Sequence, residues 1–66
     1  MFEVSEIHLS GRREIIATLP SFLAAKNEVE SMGVLFIEDD ADYPGCADAY
    51  LNGGRVVAIQ PVGFTL

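Results

Sequence analysis

Hydrophobic and polar positions alternate in short runs along much of this chain, which is the pattern of half-buried β-strands. The first run, residues 2–9, changes its alternation phase halfway and so predicts a β-bulge near Ser5 and Glu6. A turn-forming segment at residues 10–13 leads into a second β-forming run at residues 14–19. The chain is therefore predicted to open with a hairpin.

The next segment has the spacing of one helix face, because apolar residues recur every three or four positions: Phe22, Ala25, Val29 and Met32. Leu23 widens this apolar stripe. Ser21 is a favourable N-cap, and Gly33 suits the left-handed conformation that ends many helices. We predict a helix over residues 22–32.

Three further strands are predicted at residues 34–38, 47–51 and 55–60. Tyr43-Pro44-Gly45-Cys46 fits a type II turn, since Pro presets the second position and Gly accepts the positive φ of the third. Asn52-Gly53 between two alternating runs is a strong hairpin signal. The order β-β-α-β-β-β predicts one α+β domain over residues 1–66, a small antiparallel sheet of about five strands with one helix packed on one face.

The composition is that of a compact globule, with half of the residues hydrophobic and 21% charged. The single cysteine, Cys46, cannot form an internal disulfide, and this favours a reducing compartment. The N-terminal residues lack the pattern of a signal peptide, and no apolar run approaches the roughly 20 residues of a membrane span. We expect a cytoplasmic protein of the host cell with no membrane contact.

The net charge of −6 is distributed unevenly along the chain. Residues 1–26 are balanced, whereas residues 27–54 contain no Lys or Arg and hold seven acids: Glu28, Glu30, Glu38, Asp39, Asp40, Asp42 and Asp48. Such a charge distribution repels nucleic acid and attracts basic partners. These seven residues are our candidate partner-binding surface, and direct nucleic-acid binding is not expected.

Metal sites are a first alternative for the acidic segment. From Asp40 onward, acids at the first and third positions and glycine at the sixth match a calcium loop, but Pro44 and Leu51 occupy positions that need oxygen ligands. His8 and Cys46 are isolated from other zinc ligands. We expect neither a metal nor a cofactor.

Catalysis is a second alternative, because Asp39, Asp40 and Asp42 could shift one another's pKa values as paired carboxylates do in acid-base enzymes. No nucleophile motif or phosphate-binding glycine motif accompanies them, and Gly53-Gly54 belongs to the predicted hairpin. We do not expect an enzyme.

A binding surface is a third alternative. In an extended chain Glu38, Asp40 and Asp42 would project to one side about 6.6 Å apart, twice the rise per strand residue. Asp48 would follow across the turn, and the two helical glutamates would extend an acidic ridge suited to Lys and Arg clusters. A solvated loop that only keeps the small domain soluble explains the same acids equally well.

The chain resembles the small anti-CRISPR proteins of phages and mobile elements, in particular inhibitors of type I-C systems. The resemblance lies in size, acidity, one helix on an antiparallel sheet, and the acid-rich EDDAD segment at residues 38–42. It implies a monomeric, non-enzymatic inhibitor whose acids imitate phosphates and which blocks target-DNA binding by a Cascade-type effector. The family has no signature motif, so no residue role is transferred.

A competing hypothesis is a small structural or regulatory bacterial or phage module that homodimerises through the sheet face not covered by the helix. The residues expected at that contact are Tyr50, Val56, Ala58, Phe64 and Leu66.

Overall fold

The computed structural model describes residues 1–64 and contains a five-stranded antiparallel sheet with one helix packed against it. The elements are β1 (Phe2–Ile7), β2 (Arg13–Leu19), α1 (Phe22–Glu30), β3 (Val34–Asp39), β4 (Ala47–Leu51) and β5 (Val56–Pro61). This confirms the predicted α+β fold and the order β-β-α-β-β-β. Among these 64 residues, no helix has the length and apolar character of a membrane span.

The strands lie in the order β2-β1-β5-β4-β3, so β2 and β3 form the two edges of the sheet. β1 and β5 pair at its centre, and α1 carries the chain from one edge to the other. The hairpin that holds Arg12 and Arg13 therefore lies at one edge, and the acidic segment lies at the opposite edge.

The helix begins as predicted and ends two residues early. Ser21 Oγ accepts a hydrogen bond from the Ala24 N–H at 3.0 Å, which caps the helix. The helix ends at Glu30, because the Met32 N–H bonds only three residues back and tightens the last turn. Gly33 then adopts a φ of 87°, the positive φ that the sequence predicted for it.

The core lies between α1 and the sheet and consists of side chains with at most 3% exposure: Val4, Ala25, Val29, Ala47, Ala49, Leu51, Val57 and Ile59. Leu23 was expected to widen the apolar stripe of the helix, but it is 67% exposed. The reason is geometric, since α1 packs on β1, β2 and β5 through the face that carries Ala25 and Val29, and Leu23 lies outside this contact.

The predicted β-bulge is present, but its extra residue is in the other strand. The register between β1 and β2 shifts between Val4 and Ser5 and leaves Ile16 of β2 without a partner. The pairing of β1 with β5 is continuous. The phase change in the sequence of β1 arises because Val4 faces the core whereas Ile7, three residues later, faces the uncovered side of the sheet.

Candidate functional site

We call the sheet surface opposite α1 the open face. The strand register places one row of side chains across all five strands there: Arg13, Ile7, Val56, Tyr50 and Phe36. The next row contains Ile15, Ser5, Ala58, Asp48 and Glu38. The open face is therefore apolar along the first row from β1 to β3, with Arg13 at its β2 end, and acidic at the β3–β4 end of the second row.

Two of the predicted acids are cross-strand neighbours on the open face. Glu38 of β3 and Asp48 of β4 are cross-strand partners, and both are exposed. Directly opposed Cβ atoms in a sheet are about 4.5–5.5 Å apart, and like charges in this arrangement destabilise the fold. The structure thus maintains a repulsive pair at an exposed position.

Asp39 lies on the opposite side of the sheet, because neighbouring strand residues project to opposite faces. Its Oδ1 atom lies 2.8 Å from Lys26 Nζ on the helix, so its charge is compensated within the protein. Asp39 therefore does not join Glu38 and Asp48.

The expected projection of Glu38, Asp40 and Asp42 from an extended chain is wrong. β3 ends at Asp39, and Asp40 Oδ1 then accepts hydrogen bonds from the backbone N–H groups of Asp42 at 2.8 Å and Tyr43 at 3.2 Å. This side-chain turn competes with continuation of the strand and reverses the chain. Asp40 and Asp42 lie in the loop between β3 and β4, and both are exposed.

The loop closes through the predicted Pro-Gly turn. The Cys46 N–H donates to the Tyr43 carbonyl oxygen at 3.1 Å, and Gly45 has a φ of 87°. A Cβ atom at Gly45 would lie 3.0 Å from Phe2 Cε2, so glycine is required here both for its φ and for the close approach of the ring. The turn positions the acidic loop against the end of the sheet.

The remaining predicted acids, Glu28 and Glu30, are exposed on α1. They belong to the helix layer, whereas the other uncompensated acids lie on the open face or in the adjoining loop. We call Glu38, Asp40, Asp42 and Asp48 the sheet-side acids, and Glu28 and Glu30 the helix acids. The seven predicted residues therefore form two separate groups, with Asp39 paired to Lys26.

The ion pairs explain where the net charge resides. Each of the four Lys and Arg side chains lies within 4 Å of a carboxylate: Arg12 with Glu14, Arg13 with Glu3, Lys26 with Asp39, and Arg55 with Glu6. Within residues 1–64, the sheet-side acids and the helix acids have no ion-pair partner. These six carboxylates account for the formal charge of −6.

Shifted pKa values occur at the Glu6–Arg55 ion pair and at Cys46. Hydrogen bonds from Arg55 hold the pKa of Glu6 below its usual value, and the same contact raises the pKa of Arg55. Burial raises the pKa of the Cys46 thiol, and the charges of Asp40 and Asp48 raise it further. A thiol with a raised pKa is a poor nucleophile at neutral pH. In the part of the chain that the structure describes, no group of three His, Cys, Asp or Glu side chains is placed to hold a metal ion.

A small pocket of about 160 Å³ lies beside the sheet-side acids, where the loop, the open face and the segment after β5 meet. Its polar and aromatic lining comes from Asp40, Tyr43, Cys46, Asp48, Gln60 and Phe64. The sequence pattern does not single out Tyr43 or Gln60 as site residues. The one sequence feature that could have indicated Tyr43 is its position between the acidic segment and the Pro-Gly turn. Only the fold brings Tyr43 near Gln60 and Phe64.

The open face is less apolar than the dimer hypothesis expected. Arg13 Nη2 donates to Ser5 Oγ at 3.0 Å, and Ser5 is fully buried. Gln60 Nε2 donates to Glu3 Oε1 at 3.1 Å. A polar strip therefore runs beside the apolar row. Of the residues predicted for the dimer contact, Tyr50, Val56 and Ala58 lie on the open face and Phe64 lines the pocket. Leu66 lies outside the described residues.

Relief of the repulsive pair gives a direct stability test. Replacing Glu38 with Lys should raise the free energy of unfolding by roughly 0.2–1 kcal/mol, because a like-charge cross-strand pair becomes an opposite-charge pair. Urea unfolding at low and high salt would measure the gain, which should shrink as salt increases. Glu28→Lys has the same charge change on the helix. An equal gain in unfolding free energy in both variants would mean that stability depends only on net charge and not on the Glu38–Asp48 pair.

Comparison of the chain with protein-family models, with curated proteins and with solved structures found no match to it. Its function must therefore be inferred from the charges and contacts described above.

Proposed function

We propose that this protein is a non-enzymatic inhibitor that occupies the nucleic-acid-binding surface of a basic partner. In the form that the anti-CRISPR resemblance implies, the partner is a type I Cascade effector, and target DNA is excluded. The observation that carries the proposal is the location of the net charge, since all six uncompensated carboxylates lie in residues 28–48. This distribution is the one expected of a surface that cationic side chains recognise.

The sheet-side acids support the phosphate-mimicking role better than the helix acids do. Glu38 and Asp48 are cross-strand partners, so two negative charges are held beside each other, as phosphates are along a DNA strand. Both residues stand on paired strands, so the separation of their backbones is set before a partner arrives. Preorganised charges lose less conformational entropy on binding than flexible ones.

The repulsion between Glu38 and Asp48 supports a partner that supplies positive charge. In the isolated protein this pair lowers stability, and a Lys or Arg side chain placed between the two carboxylates would convert repulsion into attraction. A loop whose acids only maintain solubility has no need of two directly opposed carboxylates on a sheet.

A type I-C Cascade complex provides the test. Preincubation with this protein should abolish binding of the effector to its double-stranded target DNA at stoichiometric ratios, as measured by gel mobility shift. The protein should have no effect once the DNA is already bound, and inhibition should weaken with rising salt. Unaltered DNA binding at a large excess of the protein would contradict the proposal.

A homodimeric structural module is the second candidate, and one observation favours it. Phe36 and Tyr50 stack with ring centroids 4.6 Å apart at the end of the apolar row, yet Phe36 is 55% exposed. A second copy could cover this surface. Light scattering at micromolar concentration measures the molecular mass and so distinguishes the two candidates. A mass of a dimer that falls to that of a monomer in the Phe36→Asp variant would favour the structural module.

A further inference from the structure

The pocket beside the sheet-side acids has the size of a single side chain. Its volume of about 160 Å³ is below the roughly 300–1,000 Å³ of small-molecule sites, but it would hold about five water molecules at roughly 30 Å³ each. A flat, branched group at the end of a flexible chain fits such a space, whereas a nucleotide or a typical cofactor does not.

The polar atoms of the pocket are mostly acceptors. Asp40 Oδ1 is engaged by two backbone N–H groups, while Asp40 Oδ2 has no hydrogen bond within residues 1–64. Asp48 lacks an ion-pair partner in the same range. Gln60 donates through Nε2 to Glu3, which leaves its Oε1 atom as an acceptor. The ligand must therefore bring donors and positive charge.

Two aromatic rings complete the lining. Tyr43 and Phe64 meet edge to face, with centroids 5.6 Å apart and an interplanar angle of 76°. Aromatic faces attract cations and stack on planar groups. Asp40, Cys46 and Asp48 all line the pocket, and the two carboxylates add to the effect of burial in raising the pKa of the Cys46 thiol.

We propose that this pocket binds the guanidinium group of an arginine side chain that the partner protein presents. Arginine fits better than lysine, since guanidinium is planar, stacks on aromatic rings and donates in a fork to carboxylates, whereas an ammonium group is compact and strongly hydrated. The inference rests on the proposed function and specifies how the acidic surface holds its partner: one arginine enters the pocket, while Glu38 and Asp42, which do not line it, remain available to other cationic side chains.

A single-residue probe tests the pocket without any partner protein. N-acetyl-arginine amide titrated into the ¹⁵N-labelled full chain should cause saturable shifts at the amides of Cys46, Asp48 and Gln60. Saturation should occur with a Kd on the order of 1 mM, as expected for one side chain. N-acetyl-citrulline amide has nearly the same shape without the charge and should cause no saturable shift. N-acetyl-lysine amide should bind more weakly than the arginine probe.

Two variants with equal charge change locate the site. Asp48→Asn should weaken arginine-amide binding about tenfold, because the acceptor loses its charge and the hydrogen bond is no longer charge-assisted. Glu30→Gln on the helix should leave the affinity for arginine amide unchanged. Phe64→Ala should also weaken binding if the ring is a wall of the pocket.

Equal binding of arginine and citrulline amides, or equal effects of Asp48→Asn and Glu30→Gln, would overturn the pocket assignment. The proposed function would then still stand if the protein excludes DNA from its effector. If the arginine probe binds but DNA binding by the effector is unaffected, the pocket stands and the effector is the wrong partner.

Discussion

Binding to the proposed basic partner should be lost when Glu38 and Asp48 are both replaced by Lys. The two residues face each other across β3 and β4 on the open face, so the double variant places two positive charges where the proposed surface needs two negative ones. Like charges brought together in an interface cost several kcal/mol, and the affinity should fall at least about 100-fold. Calorimetric titration against the effector, at two salt concentrations, measures the loss.

The helix acids supply the matched control. Glu28→Lys with Glu30→Lys produces the same change in net charge, but on the helix layer and not on the open face. We expect this control to weaken binding only modestly, through the long-range field. Circular dichroism should show that both double variants remain folded, because all four positions are exposed. Equal losses in the two variants would show that net charge, and not the sheet-side arrangement, determines binding.

A large loss of stability is the expected result of replacing Ile59 with Ala. Ile59 is 1% exposed in the central strand β5, where it pairs with Val4 on one side and Ala47 on the other beneath α1. Ile→Ala in a core costs about 2–5 kcal/mol through lost transfer free energy and the cavity that remains. A domain of this length has a total stability of roughly 3–10 kcal/mol. The substitution therefore removes a large fraction of the stability.

Urea unfolding monitored by circular dichroism measures this loss, and Leu23→Ala is its control. Leu23 is an apolar residue that the sequence pattern assigned to the buried stripe, but it is 67% exposed, so its truncation should cost less than about 0.5 kcal/mol. Comparable losses for Ile59→Ala and Leu23→Ala would mean that the core does not lie between α1 and the sheet as described.

The elements that the sequence predicted well are those governed by neighbouring residues. Ser21 caps the helix, Gly33 follows its end with a positive φ, and Gly45 completes the turn after Pro44, all because backbone conformation depends on the residue and its nearest neighbours. The bulge was only partly predictable. Its extra residue, Ile16, is defined by the pairing of two strands, and one strand's alternation does not reveal the partner's register.

The candidate site was predictable as a set of acids but not as an arrangement. The sequence showed seven acids without a neighbouring base between residues 27 and 54. It could not show that Lys26 compensates Asp39, that Asp40 turns the chain, or that Glu38 faces Asp48. Each of these depends on a contact between residues brought together by folding or on a side-chain hydrogen bond that competes with the strand.

The sequence alone determines the element order and the α+β class, because periodicity and turn chemistry are local properties. It also determines the excess of negative charge, because charges add. The tertiary structure alone decided three features. They are the strand order β2-β1-β5-β4-β3, the separation of the sheet-side acids from the helix acids, and the pocket walled by Tyr43 and Phe64. The physical reason is that strand register and layer packing are set by the burial of Val4, Val57 and Ile59 against the helix, and this packing assigns every exposed side chain to its face.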